Sequence, residues 1–167
     1  MSMREFFDRM AKIDRRIVFL VVAIAVIIPI LSKAILPLRP TPDVRMAFDA
    51  INSLPPGSVV LISIDYDAAS MPELQPMLHA ILKHCFMKDI KVALMGHWPL
   101  GLPLGPIALD EEAKKFNKKY GIDYVFLGYR PGVAAVMINM GRDIRSVFAV
   151  DYFGTPLDSL PMMPVSY

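Results

Sequence analysis

The sequence predicts an α/β fold: a small Rossmann-like or flavodoxin-like parallel sheet of three strands or slightly more, flanked by helices and preceded by one N-terminal transmembrane helix. Three observations lead there. The run Ser58-Val-Val-Leu-Ile-Ser-Ile-Asp-Tyr-Asp67 is apolar, β-branched, of strand length, and stops at two carboxylates. A strand apolar on both faces belongs in a parallel sheet covered on each side by helices. Helical patterns alternate with such runs three times along the chain, the mark of crossover connections. The longest apolar stretch, Ile17 to Leu38, stands apart near the N-terminus.

That stretch sets the expected placement of the chain. Ile17 to Ser32 carries no charge, and apolar character resumes after Lys33. Roughly 22 helical residues rising about 1.5 Å each reach about 33 Å, enough for a hydrocarbon core of about 30 Å. Residues 1–16 are basic and amphipathic, with Phe6, Phe7 and Met10 on one side. Arg4, Arg9, Lys12, Arg15 and Arg16 outweigh Arg39 and Arg45 beyond the span. The positive-inside rule then expects a single-pass signal anchor in the plasma (inner) membrane, with the N-terminus cytoplasmic and the domain extracytoplasmic. A leader cleaved near Ser32-Lys33-Ala34 is the competing reading. Residues 39–42 read as a stiff linker, 43–154 as the α/β domain and 155–167 as an irregular tail.

Composition narrows the function classes. The 167 residues suit one domain. A net charge of +2, with acids interleaved among the bases, gives no footprint for nucleic acid. The single cysteine, Cys85, excludes a disulfide framework and a multi-cysteine metal site.

The elements follow in order. Pro42 and Asp43 open a helix whose Ala47, Phe48, Ile51 and Leu54 share a face. Pro55-Pro56-Gly57 ends it, and the strand to Asp67 follows. Ser70-Met-Pro-Glu73 has the form of a capping box. It opens a helix with a stripe of Leu74, Met77, Leu78, Ile81, Leu82, Cys85 and Phe86. Cys85 within that stripe is expected to be a buried, inert thiol, and His79, Lys83 and His84 fall on the solvated side. Ile90 to His97 reads as the second strand. Pro99 to Pro106 (PLGLPLGP) reads as a loop that packs over the strand ends or meets a partner or bilayer surface. Asp110 to Lys119 is the expected third helix, its four lysines forming a solvated face. Ile122 to Tyr129 is the third strand. Val133, Val136, Met137, Met140 and Ile144 mark a fourth helix, bent near Gly141. Val147 to Phe153 fits a helix end, a strand or neither.

A parallel sheet brings its strand ends together, and ligands of open α/β sheets bind there. The residues so collected are Asp65, Asp67 and Ser70 after the first strand, His97 and Trp98 after the second, and Tyr129 and Arg130 after the third. Asp65, Asp67, His97 and Arg130 are the candidate catalytic group, and Ser70, Trp98 and Tyr129 the candidate ligand-binding group. Asp65 and Asp67 are also the candidate ligands for a divalent metal. The bland alternative is that these carboxylates cap the next helix and bond loop amides. No phosphate-binding glycine loop or nucleophile elbow is present. Asp-x-Asp after a hydrophobic strand superficially resembles the first motif of haloacid-dehalogenase phosphotransferases. Ala69 stands where that family prefers Thr or Val, and the second strand lacks its terminal Ser or Thr, so the family is not assigned.

Three strands are few for a sheet buried on both faces. The expected role is therefore a membrane-anchored, non-catalytic interaction or assembly subunit. Its partners would be the bilayer through 17–38 and a protein chain, or a second copy, that completes the sheet. No cofactor is expected in that role. The alternative is a membrane-anchored hydrolase or phosphotransferase using Asp65 and Asp67 with Mg or Mn. An extracytoplasmic small-ligand sensor is the third reading.

Overall fold

A computed structural model of the chain describes residues 14–32 and 39–163. The chain divides into two compact units, Met1–Thr41 and Pro42–Tyr167. Residues 1–13 of the basic segment expected over 1–16, and the apolar residues 33–38, lie outside the described residues.

In the first unit, helix α1 runs over Arg15–Ser32. The Asp14 carboxylate accepts the Arg16 amide at 2.9 Å and ties down its first turn. The expected transmembrane signal anchor over 17–38 is corrected: no helix among the described residues is long and apolar enough to cross a membrane. The 18 residues of α1 begin with two arginines. What remains from Ile17 to Ser32 spans only about 24 Å against a hydrocarbon core of about 30 Å. The expected length drew on residues 33–38, which lie outside the described residues.

The second unit is an α/β domain. Helix α2 (Pro42–Asn52) starts on proline with Asp43 in its first turn, as the helix dipole favours. Strand β1 (Val59–Ser63) leads to helix α3 (Met71–Met87) and strand β2 (Lys91–Gly96). A 3₁₀ turn (Pro99–Gly101) precedes helix α4 (Leu104–Lys115) and strand β3 (Tyr124–Tyr129). Helix α5 (Val133–Met140) and the single turn α6 (Ile144–Val147) follow, then a second 3₁₀ turn, Leu157–Ser159.

The sheet is parallel throughout, in the order β1-β2-β3. That is the order of one half of a doubly wound sheet; the flavodoxin-like order, with the first strand between its neighbours, is not present. Crossovers of one hand between consecutive strands put both connecting helices on one face. Accordingly α3 and α4 share a core with Val92, Leu94, Tyr124 and Phe126, built from Leu78, Leu82, Cys85, Phe86, Ala108, Leu109 and Ala113. The opposite face carries Ala93, Met95, Val125 and Leu127. It is covered by the chain after β3, through Val136, Phe148, Leu157, Leu160, Met162 and Met163.

Two stretches differ from expectation for packing reasons. The third helix starts at Leu104 and not at Asp110, since Gly105 lets its first turn sit against the sheet. A Cβ on Gly105 would fall 2.7 Å from Ile64 Cδ1 and 3.0 Å from the Phe126 ring. The loop before it also packs inward: Leu102 and Leu104 join the first core, and of its three leucines Leu100 stands out in solvent. Strand β3 carries a bulge. Leu94 pairs with Phe126 but Met95 with Gly128, leaving Leu127 as the extra residue. Gly128 supplies the left-handed φ of +84° that this bulge uses.

The stretch Val147 to Phe153 forms no strand. It makes one antiparallel bridge, Val150 to Pro156, and the Tyr152 amide donates to the Phe126 carbonyl at 2.9 Å. The tail thus closes the outer edge of β3 with aromatic side chains.

Candidate functional site

The three strand ends are neighbours, and a chain of hydrogen bonds joins them. Asp65 Oδ1 accepts the His97 backbone amide at 2.6 Å, and Asp65 Oδ2 accepts the Ser63 hydroxyl at 2.6 Å. The His97 ring meets the Arg130 carbonyl through Nδ1 at 3.2 Å. Asp65, His97 and Arg130 are therefore brought together, but through main-chain groups on one side of each contact.

The charged ends point elsewhere. Arg130 donates through Nε to the Val147 carbonyl at 2.9 Å and through a terminal nitrogen to the Tyr129 carbonyl at 3.1 Å. Its guanidinium lies 4.9 Å over the Phe148 ring, fixing the start of the tail. Asp67 Oδ1 accepts the amides of Ala69 at 3.0 Å and Ser70 at 3.2 Å, an Asx turn that leads into α3. Ser70 occupies the N-cap position without a side-chain cap bond, so the expected capping box is replaced by the Asp67 turn. Trp98 is exposed and Tyr129 half-buried. Among the described residues, no group of three or more His, Cys, Asp and Glu side chains converges as a metal site would.

The strand order leaves no switch point between β1, β2 and β3 at this end of the sheet. A ligand crevice opens where two neighbouring crossovers leave on opposite faces. Here both crossovers leave on the same face, and the loop after β2 folds over the gap between β1 and β2. Gly101 is the point of contact: a Cβ there would lie 2.1 Å from the Tyr66 carbonyl oxygen.

The structure also contains a polar cluster that the helical stripe gave no reason to expect. Glu112 on α4 is buried at 4% exposure. Its Oε1 takes His79 Nδ1 at 2.8 Å and Lys115 Nζ at 2.7 Å. Gln75 extends the cluster toward the end of β1: its amide nitrogen lies 3.5 Å from His79 Nε2, and its oxygen accepts the Tyr66 hydroxyl. Burial pushes the Glu112 carboxyl upward, but the bonds from Lys115 and His79 outweigh it and hold it below the usual carboxylate value. The sequence signal was available in part. Glu112 and Lys115 are three apart on one helix, whereas His79 lies 33 residues from Glu112. His79 is thus packed between helices, contrary to its expected solvated position.

Cys85 is fully buried, and desolvation raises its thiol to about 11, which leaves it protonated and unreactive. Compared with known proteins, the chain matches no family model, no curated protein and no solved structure.

Proposed function

We propose that the α/β domain is a non-catalytic interaction or assembly subunit that accepts a strand from a partner chain at the outer edge of β1, which pairs with no strand among the described residues. The observation that carries this reading is the state of β1 itself. Its five residues, VVLIS, hold no charge and no proline, the devices that normally blunt an edge strand. The Ser58 carbonyl accepts from Lys91 and the Ile64 amide donates to Met95. Even-numbered main-chain groups therefore face β2, and those of Val59, Leu61 and Ser63 face outward. An added strand would find apolar surface on both faces. Val59 and Leu61 are 37% and 45% exposed on one, and Ile62, Leu74, Met77 and Ile81 line a depression on the other.

The experiment is cross-linking of the chain with its native neighbours, followed by mapping of the linked residues. The expected result is contacts at Val59–Ser63 that are lost in Leu61→Pro. This change removes an outward amide and leaves the β1–β2 ladder intact. Recovery of the chain as a monomer, or contacts confined to the β3 side, overturns the reading. The hydrolase alternative draws on the hydrogen-bonded strand ends. It requires a thermal shift with magnesium or manganese that Asp65→Asn removes. Against it, Asp65 and Asp67 already spend carboxylate oxygens on Ser63 and loop amides.

A further inference from the structure

At the other edge of the sheet, α4 and the tail loop line an open pocket of about 830 Å³. That volume is in the range of sites that hold small organic ligands. Its inner wall is aromatic. Tyr124 and Phe153 both stand on Tyr120, with centroids 5.4 and 5.5 Å away and planes turned by 90° and 76°. Its rim is charged, with Asp110, Glu111 and Lys114 of α4.

The wall is rigidly held. Asp151, buried at 4% exposure, accepts the Tyr120 hydroxyl at 2.7 Å and the amides of Phe153 and Thr155 at 2.9 and 2.7 Å. One carboxylate thus fixes both the Tyr120 ring and the loop that carries Phe153. Such preorganisation favours binding, because the ordering cost is met during folding.

The charge balance selects the ligand's sign. Lys114 is paired with Asp110 at 2.5 Å. Among the described residues, the nearest ion pair of Glu111 is a 3.8 Å approach to His79, with Lys114 in its wider field, and Asp151 adds a further negative charge behind Tyr120. Aromatic faces attract cations, and an anion would meet net negative charge.

We propose that this pocket is a binding site for a small organic cation, an alkylated ammonium group carried on an apolar or aromatic body. The ammonium lies against Tyr120, Tyr124 and Phe153 beneath Glu111, and the body lies along Ile107 and Pro106.

The test uses benzyltrimethylammonium as the probe and its uncharged carbon isostere, neopentylbenzene, as the control, with the full chain observed by NMR. Saturable shifts of the Tyr and Phe ring signals are expected with the cation and not with the isostere. Phe153→Leu should weaken binding about tenfold and Glu111→Gln about threefold, the range for one cation–π contact and one partly screened charge. Glu111 is exposed, so Glu111→Gln tests the idea even if an aromatic variant folds poorly. Equal binding of the isostere, insensitivity to both variants, or no saturation up to about 10 mM overturns the proposal.

Discussion

Leu61, Ala93 and Val125 form one row across the sheet, on the same face, in strands of nearly the same composition. Their exposures are 45%, 1% and 0%. Among the described residues of the domain, strand β1 has neither an outer neighbour nor cover over Val59 and Leu61. Strand β3, also an edge, is sealed by the tail: Tyr152 bonds its main chain, and Phe148, Leu157 and Leu160 cover its face. Apolar content therefore does not tell which strand is buried. What differs is the 34 residues from Arg130 to Met163, which fold back over one edge and not over the other.

The sharpest way to break the comparison is to place the same charge at both ends of the row. Val125→Lys buries an unpaired ammonium and should destabilise the domain by more than about 4 kcal/mol, read as a fall in the urea midpoint or failure to fold. The next effect comes from stripping the seal off β3. Asp151→Ala removes the acceptor of Tyr120, Phe153 and Thr155 and should cost about 3 kcal/mol. Exchange of the β3 amides should then rise toward that of β1.

A smaller effect is expected between helices α3 and α4. Glu112→Gln keeps the shape and loses the charge, at about 1–2 kcal/mol near neutral pH. The folded carboxyl lies below its ordinary value of 4.5. Its contribution is therefore complete above about pH 4.5 and lost as pH falls through the folded value. The variant should show a flatter acid limb in a stability–pH profile; an unchanged limb would remove Glu112 from the account. Smallest of all, Leu61→Lys should shift stability by no more than about 0.5 kcal/mol, since the side chain already faces solvent. Its effect should appear only in assembly, as loss of cross-links at β1.

The legible part of the fold was whatever local pattern dictates. The apolar runs between turn signals located all three strands, and the stripe through Leu78, Leu82, Cys85 and Phe86 identified the buried side of α3. The start of α4 was hidden because Gly105 and Pro106 read as loop residues; only the proximity of Ile64 and Phe126 shows why glycine stands there. Strand order was not legible either, since crossovers of one hand allow several orders. The strand-end residues were collected correctly as neighbours where Asp65, His97 and Arg130 are concerned. That Arg130 turns toward Val147 and Phe148 depends on the tail, which has no periodicity to read. The expected membrane span counted apolar residues past Ser32, and the described helix up to that point is not long and apolar enough to cross a membrane.

The consecutive order of the strands has a consequence for synthesis. Val60 pairs with Val92 and Val92 with Tyr124, so each strand closes on its predecessor across the same 32 residues. Loop-closure entropy is then alike for both steps, and neither must wait for a distant segment. As the chain leaves the ribosome, β1 and β2 can pair before β3 has been made, and the seal over β3 forms last. The outward amides of Val59, Leu61 and Ser63 are thus presented from the first pairing onward. Under the proposed role, a partner strand can dock there co-translationally, competing with misassembly at an edge that the described residues leave uncovered.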